Sequence, residues 1–95
     1  MDSTYIYIIT NSRNTVLYTG STSSIKNRIN HHKKRLIPGF SKKYNLEKLV
    51  YYKKCKNRVD ALEREKQIKN GSRKNKILLV EKTNPQWHDL YHLLP

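Results

Sequence analysis

Three polar side chains stand where the helical periodicity of the sequence calls for apolar ones. Two of them, Arg28 and His32, belong to a helix that the pattern predicts over residues 24–36. Counting about 100° per residue from Ile25, His32 lies at about 340°, inside the apolar stripe, and Arg28 at about 300°, on its edge. Because they are four residues apart, their side chains are neighbours on the helix. Imidazole and guanidinium groups in such positions are suited to proton transfer and to binding negative charge.

The third polar residue is Glu65, in a helix predicted after Asn57. It falls in the middle of the apolar sector that contains Ala61, Leu62 and Ile68. A carboxylate facing the core is costly unless a cation or a metal ion neutralises it. The chain has only 7 Asp and Glu residues, so this acid is the most informative one. A purely structural interpretation stays open, in which the three residues form a buried salt-bridge cluster.

The charge balance of the chain favours an acidic partner. Its 95 residues include 20 Lys and Arg against 7 acids, which gives a net charge of +13, and no acid lies between Asp2 and Glu47. Nucleic acid is the first candidate, because neutralising phosphates releases condensed counterions. An anionic membrane surface is the second, but the first predicted helix carries only aliphatic residues on its apolar face, without the Trp or Phe expected there.

Composition excludes several other classes of protein. The single Cys55 is incompatible with an internal disulfide framework or a cysteine-based zinc site. No segment approaches the ~18 apolar residues of a membrane span, and the polar N-terminus does not resemble a signal peptide. We therefore expect one cytoplasmic domain over residues 1–95, without a membrane segment.

The elements that must position these side chains begin with a hairpin. Residues 4–10 and 15–20 are rich in β-branched and aromatic residues and are joined by a polar turn, which predicts two antiparallel strands. The first strand has apolar residues on both faces, so it should be central in its sheet. Tyr7 and Tyr18 are expected near the ends of these neighbouring strands. Gly20 is either an ordinary turn residue or a place where a phosphate can approach the backbone.

The rest of the chain completes an α+β fold. We predict a basic loop at 41–45, a third strand at 46–55, a helix from Asn57 to Asn70, and a third helix capped by Ser72, with a wholly buried run at 77–80. Asn84-Pro85 ends that helix. The predicted fold is a three-stranded antiparallel sheet flanked by helices, in the order β-β-α-β-α-α.

Two tripeptides in the hairpin resemble the paired motif of the GIY-YIG nuclease superfamily. They are Tyr5-Ile6-Tyr7 and Tyr18-Thr19-Gly20, whose tyrosines Tyr7 and Tyr18 are eleven residues apart. The resemblance continues through Arg28, His32 and the segment ALEREKQIK (61–69), which contains Glu65. Residues 36–52 and 84–91 resemble the small stand-alone bacterial branch. Tyr5 in place of Gly and Thr19 in place of Ile depart from the motif, but both departures keep the two tyrosines.

The resemblance implies a metal-dependent endonuclease that hydrolyses DNA phosphodiester bonds. Tyr7 would lie near the attacking water, and Tyr18 would orient that water or the scissile phosphate. Arg28 would hold the phosphate, and His32 would hydrogen-bond a catalytic tyrosine or relay its proton. Glu65 would bind one divalent cation, Mg²⁺ or Mn²⁺, since one carboxylate with several waters is an adequate shell for Mg²⁺. No small-molecule cofactor is expected.

The identity of the general base stays open. A tyrosine with an ordinary pKa near ~10 is a poor base, but we expect Arg28 and the cation to lower the pKa of Tyr7. His32 is the alternative base, with a pKa closer to neutrality.

Docking of the nucleic acid is assigned to a wider set of residues. They are Gly20, Lys26, Lys33, Lys34, Arg35, Lys42, Lys43 and Asn84. The expected partner is DNA, with RNA and branched DNA as open possibilities, and the expected state is a monomer or weak homodimer. The competing hypothesis is a DNA- or RNA-binding module without turnover that uses the same basic face.

Overall fold

A computed structural model of the chain describes residues 3–95 and contains a three-stranded antiparallel sheet in the order β2-β1-β3. The strands are β1 (Thr4–Thr10), β2 (Leu17–Thr22) and β3 (Lys48–Cys55). The helices are α1 (Ile25–Lys33), α2 (Phe40–Lys43), α3 (Arg58–Asn70) and α4 (Arg73–Thr83), followed by a 3₁₀ turn at Tyr91–Leu93. The predicted α+β class and the order β-β-α-β-α-α are confirmed, with α2 as an additional short helix.

The central position predicted for β1 is also confirmed, and both of its faces are covered. Tyr7 and Ile9 pack on one side against Ile25 and Ile29 of α1. Ile6 and Ile8 pack on the other side in a cluster that includes residues of α3 and α4. Strand β2 is therefore an edge strand with helices on both sides of the sheet. Side chains from α1 and α3 can both reach this edge.

Helices α3 and α4 begin where their capping residues predict. The side chain of Asn57 accepts a hydrogen bond from the backbone N–H of Asp60, and Ser72 accepts one from Asn75. These bonds satisfy backbone donors that a helix start otherwise leaves free.

Helix α1 is shorter than predicted. Arg35 adopts a left-handed conformation with φ of 57°, and the N–H of Leu36 bonds back to the carbonyl of His31. This is a Schellman-type end, and it turns the chain away before Leu36 can join the apolar stripe. Leu36 is 63% exposed, so its predicted place on the core face is wrong.

Two other predictions of local structure are wrong. Part of the basic loop predicted at 41–45 lies in α2. In the run 77–80, predicted to be wholly buried, Val80 is buried but Leu78 is exposed. The reason is geometric, since α4 faces the sheet with one side only and four consecutive helical residues point around the whole circumference.

The segment after α4 is fixed to β3 by side-chain hydrogen bonds. Asn84 is buried, its amide donates to the carbonyls of Val50 and His88, and its oxygen accepts from the N–H of His88. Asp89 accepts hydrogen bonds from the N–H groups of Leu49 and Tyr91. The polar atoms of Asn84 are thus committed to the backbone inside the fold, and its role in docking nucleic acid stays a prediction. No helix within residues 3–95 is long and apolar enough to cross a membrane.

Candidate active site

The phenol ring of Tyr7 lies over Gly20 on the neighbouring strand. Tyr7 is 2% exposed, and its Cα partner across the sheet is Gly20. A Cβ added to Gly20 would lie 2.5 Å from Tyr7 Oη and 2.6 Å from Cζ. Glycine is thus required for the close approach of the ring. On this face of Gly20, the space in which a phosphate could approach the backbone is filled by the phenol of Tyr7.

His32 connects Tyr7 to a serine that the sequence did not single out. Its Nε2 is hydrogen-bonded to the Tyr7 hydroxyl at 3.1 Å, and its Nδ1 is hydrogen-bonded to Ser41 Oγ at 2.9 Å. All three side chains are buried. Because both ring nitrogens have hydrogen-bond partners, the orientation of the imidazole is fixed. The Tyr7 hydroxyl lies between the imidazole and the open side of the site.

Burial controls the protonation of this pair. It lowers the pKa of His32 to about 4, with further lowering by Arg28 and His31. It also raises the pKa of Tyr7, and the charges of Tyr18 and Glu65 act in the same direction. Arg28 lowers the pKa of Tyr7 as the sequence predicted, but burial outweighs it. For the protein by itself the pKa of Tyr7 is therefore raised, because removing a phenolate from water costs more free energy than one nearby cation offsets. The expected lowering by Arg28 together with a bound cation stays a prediction.

Glu65 reaches the β2 edge from α3. Ser21 Oγ donates a hydrogen bond to Glu65 Oε1 at 2.5 Å, and Lys69 Nζ lies 2.6 Å from Oε2. The Glu65 side chain is only 15% exposed. The Lys69 ammonium also lies 5.5 Å from the centre of the Tyr18 ring. The carboxylate thus lies at the same β2 edge as Tyr18, which it reaches from the α3 face of the sheet.

Tyr18 lies between the buried pair and the short helix α2. Its ring is 6.2 Å from that of His32 and 6.1 Å from that of Phe40, which is stacked on it. Helix α2 therefore contributes two side chains, Ser41 and Phe40, to the surroundings of the site. Neither was predicted.

Arg28 occupies the open side of the site. It is exposed and lines a cavity of about 220 Å³ whose other walls include Ser21 and Arg58. Ser21 thus touches both the carboxylate of Glu65 and the cavity of Arg28. The five predicted catalytic residues consequently surround one stretch of the β2 edge, contributed by β1, β2, α1 and α3.

The donor set at Glu65 fits a hard divalent cation. Among residues 3–95 no group of three or more His, Cys, Asp or Glu side chains could hold a metal ion. A single carboxylate is a suitable ligand for Mg²⁺, which keeps several waters and is commonly bound by one or two carboxylates. Glu65, with its neighbour Ser21, is the residue that would hold such an ion.

The predicted docking residues divide into two groups. Lys26, Lys34, Lys42 and Lys43 are exposed. Lys33 instead forms an ion pair with Asp89 and donates to the carbonyl of Glu47 at 2.9 Å, and Arg35 is paired with the Glu47 carboxylate at 3.0 Å. These two cations serve contacts within the fold.

Some of the missed residues had a signal in the sequence. Lys69 follows Glu65 by four residues, which is the spacing of a helical ion pair. Ser21 follows Gly20 in β2, and strand alternation places its side chain on the α3 face. Ser41 had no such signal, because nothing local shows that it approaches His32 nine residues earlier.

Comparison with known proteins gives consistent matches. A sequence model of the GIY-YIG catalytic domain matches residues 3–77. A UPF0213 protein of Staphylococcus saprophyticus is 35% identical over 80 residues, covering 84% of this chain and 96% of that protein. One from Pediococcus pentosaceus is 32% identical over 78 residues, covering 82% and 81%. The solution NMR structure of a UPF0213 protein from Bacillus halodurans has the same fold, with a TM-score of 0.59, 23% identity and 92% coverage of both chains.

Proposed function

Because this chain belongs to the GIY-YIG catalytic domain family, which indicates the endonuclease superfamily, we propose that it hydrolyses DNA phosphodiester bonds with one divalent cation, Mg²⁺ or Mn²⁺. The observation that carries the proposal is the buried hydrogen bond between Tyr7 and His32, beside Arg28 and Glu65 at one sheet edge. The proposal is supported because groups chemically able to accept a proton, to bind a phosphate and to bind a cation lie near one another.

In this mechanism Tyr7 is the group that meets the attacking water. Both nitrogens of His32 are already hydrogen-bonded, to Tyr7 and to Ser41, so a water reaches the imidazole only through the phenol oxygen. As the Tyr7 oxygen accepts a proton from the water, its own proton passes to His32 Nε2. The lowered pKa of His32 keeps its imidazole neutral at neutral pH, and in the tautomer that carries the ring proton on Nδ1, beside Ser41, Nε2 is free to accept this proton.

The remaining groups bind and orient the substrate. Arg28 holds the scissile phosphate, because a guanidinium can form two parallel hydrogen bonds to its oxygens. Tyr18 orients the water or the phosphate next to Tyr7. Glu65 holds the cation, which when bound supplies positive charge to the transferring phosphate. The exposed Lys26, Lys34, Lys42 and Lys43 contact neighbouring phosphates.

A nucleic-acid-binding module without turnover is the second candidate. The raised pKa of Tyr7 and the ion pair between Glu65 and Lys69 favour it, because both features keep the site in an unreactive state. The two candidates make the same prediction for binding and opposite predictions for cleavage.

The test is cleavage of supercoiled, linear and branched DNA in Mg²⁺ or Mn²⁺. We expect Glu65→Ala and Arg28→Ala to reduce the rate at least about 100-fold, the scale at which losing one transition-state contact acts. Glu63→Ala is the matched control, since Glu63 is an exposed carboxylate on the same helix. If wild type and Glu65→Ala leave every substrate equally intact, the hydrolase proposal fails, and retained DNA binding supports the binding module.

A further inference from the structure

A second arginine shares the cavity that contains Arg28. This cavity, of about 220 Å³, is lined by residues of β1, β2, α1 and α3: Thr4, Ser21, Thr22, Ser23, Arg28, Arg58 and Leu62. Arg58 comes from the first turn of α3, on the opposite side of the sheet from α1. Four hydroxyl-bearing residues and two arginines thus line one space, and no acid is among the lining residues that the structure describes.

Within residues 3–95, neither arginine takes part in an ion pair. Over the part of the chain that the structure describes, the ion pairs join Lys33 to Asp89, Arg35 to Glu47 and Lys69 to Glu65. Two guanidinium groups around one cavity repel each other, and the total charge of +13 adds to this repulsion. An anion in the cavity would remove it.

The position of Arg58 in its helix is a second, independent indication that this residue binds an anion. It is the first residue of α3, directly after the capping residue Asn57. The helix dipole favours anions at this end and disfavours cations by a few tenths of a kcal/mol to about 1 kcal/mol. Arg58 therefore opposes the stability of its own helix, which is typical of a residue kept for function.

We propose that Arg58 binds a second phosphate of the substrate strand, adjacent to the phosphate that Arg28 holds. This inference rests on the proposed function, since it takes the ligand of Arg28 to be a nucleic acid phosphate. Ser21 connects the two parts of the site, because it lines the cavity and donates to Glu65. Substrate bound across Arg28 and Arg58 is thereby positioned along the edge at which Glu65 would hold the cation.

The first measurement is binding of a short single-stranded oligonucleotide without a divalent cation, followed by fluorescence anisotropy over a range of salt concentrations. We expect Arg58→Ala to weaken binding about tenfold at low salt, the scale of one charge-assisted contact. The log–log salt dependence should become shallower by about 0.7, the value for one phosphate contact on a single strand. Arg64→Ala is the matched control, because Arg64 is exposed on the same helix but lines cavities on the α4 side.

The second measurement locates the phosphate. Oligonucleotides that carry one uncharged methylphosphonate are compared, with the neutral linkage moved along the strand. When the neutral linkage occupies the subsite of Arg58, Arg58→Ala should bind as tightly as wild type. On the other strands it should bind about tenfold more weakly than wild type. An equal loss on every strand, or binding by Arg58→Ala that matches Arg64→Ala, overturns the inference.

These results separate the inference from the proposed function. Arg58-dependent binding at one linkage, with no cleavage of any DNA by wild type, supports the phosphate subsite and contradicts the hydrolase proposal. Cleavage by wild type together with unchanged binding by Arg58→Ala supports the hydrolase and contradicts the subsite. The thermal unfolding midpoint of each variant verifies that the exposed substitutions leave the fold intact.

Discussion

Tyr7 and His32 are both held in their neutral forms, which decides what their hydrogen bond can do. Burial raises the pKa of the phenol and lowers that of the imidazole to about 4. At neutral pH the two groups therefore share a proton without forming an ion pair. Arg28 favours the phenolate of Tyr7 but disfavours the protonated form of His32. The chain by itself keeps both groups neutral. Proton transfer between them depends on the charges that bind beside the pair.

At the residue scale, the fit of Tyr7 against Gly20 gives a direct prediction. Gly20→Ala places a Cβ 2.5 Å from Tyr7 Oη, so the ring must move away from its hydrogen bond with His32. We expect the free energy of unfolding to fall by about 1–3 kcal/mol, the usual cost of overpacking a filled site. DNA cleavage should fall as well, because Tyr7 loses its proton acceptor. Urea unfolding and the cleavage assay measure the two effects.

Gly71→Ala is the control for that substitution. Its added Cβ would come no closer than 3.4 Å to another atom, and Gly71 has an ordinary φ of −77°. It should change stability by less than about 1 kcal/mol. Equal losses for the two variants would contradict a specific fit between Gly20 and Tyr7.

The residues of the site were predictable to the extent that they break a pattern. His32 and Glu65 stood out because each interrupts an apolar helix face, and the structure places one buried and the other largely so. Their partners Ser41 and Ser21 break no pattern, since small hydroxyl residues are common in turns and at strand ends. These partners depend on contacts across 9 and 44 residues, which local periodicity cannot show.

At the scale of elements, the helix boundaries with a local sequence signal were predicted, and the end of α1, which lacks the usual signal, was not. Helices α3 and α4 begin after Asn57 and Ser72, whose side chains make the capping bonds. The end of α1 uses Arg35 in a left-handed conformation, where glycine or asparagine is the usual signal. The following helix α2 spans only Phe40–Lys43, which is too short to show an apolar period.

Helix α2 matters because it positions Ser41 against His32. Ser41→Ala leaves Nδ1 of a buried imidazole without its partner, and such a loss costs about 1–3 kcal/mol. We expect a lower free energy of unfolding and a slower cleavage rate. We also expect changed ¹⁵N chemical shifts at the ring nitrogens of His32, which report its tautomer. Ser41→Thr, which keeps the hydroxyl, should restore the shifts. Unchanged shifts in Ser41→Ala would show that α2 does not fix the imidazole.

At the scale of the whole molecule, the excess of positive charge has two separate uses. Lys33 and Arg35 form ion pairs with Asp89 and Glu47, so part of the basic run between Asp2 and Glu47 is engaged within the fold. Arg28 and Arg58 face a cavity whose lining includes no acid among the residues that the structure describes. The composition predicted an acidic partner but could not divide the charges in this way, because the acids that pair with them are distant in sequence.

The net charge of +13 predicts opposite effects of salt on folding and on binding. Screening weakens the repulsion among the cations, so the free energy of unfolding should rise as salt increases from about 0.01 M to about 0.3 M, since the Debye length falls from ~30 Å at 0.01 M to ~10 Å at 0.1 M. DNA affinity should fall over the same range, because releasing each condensed counterion into a more concentrated salt solution gains less free energy. Urea unfolding and fluorescence anisotropy in matched buffers measure the two trends. Stability that falls with salt would show that ion pairs such as Lys33–Asp89 outweigh the repulsion, and affinity that does not change would show that the exposed lysines do not dock the nucleic acid.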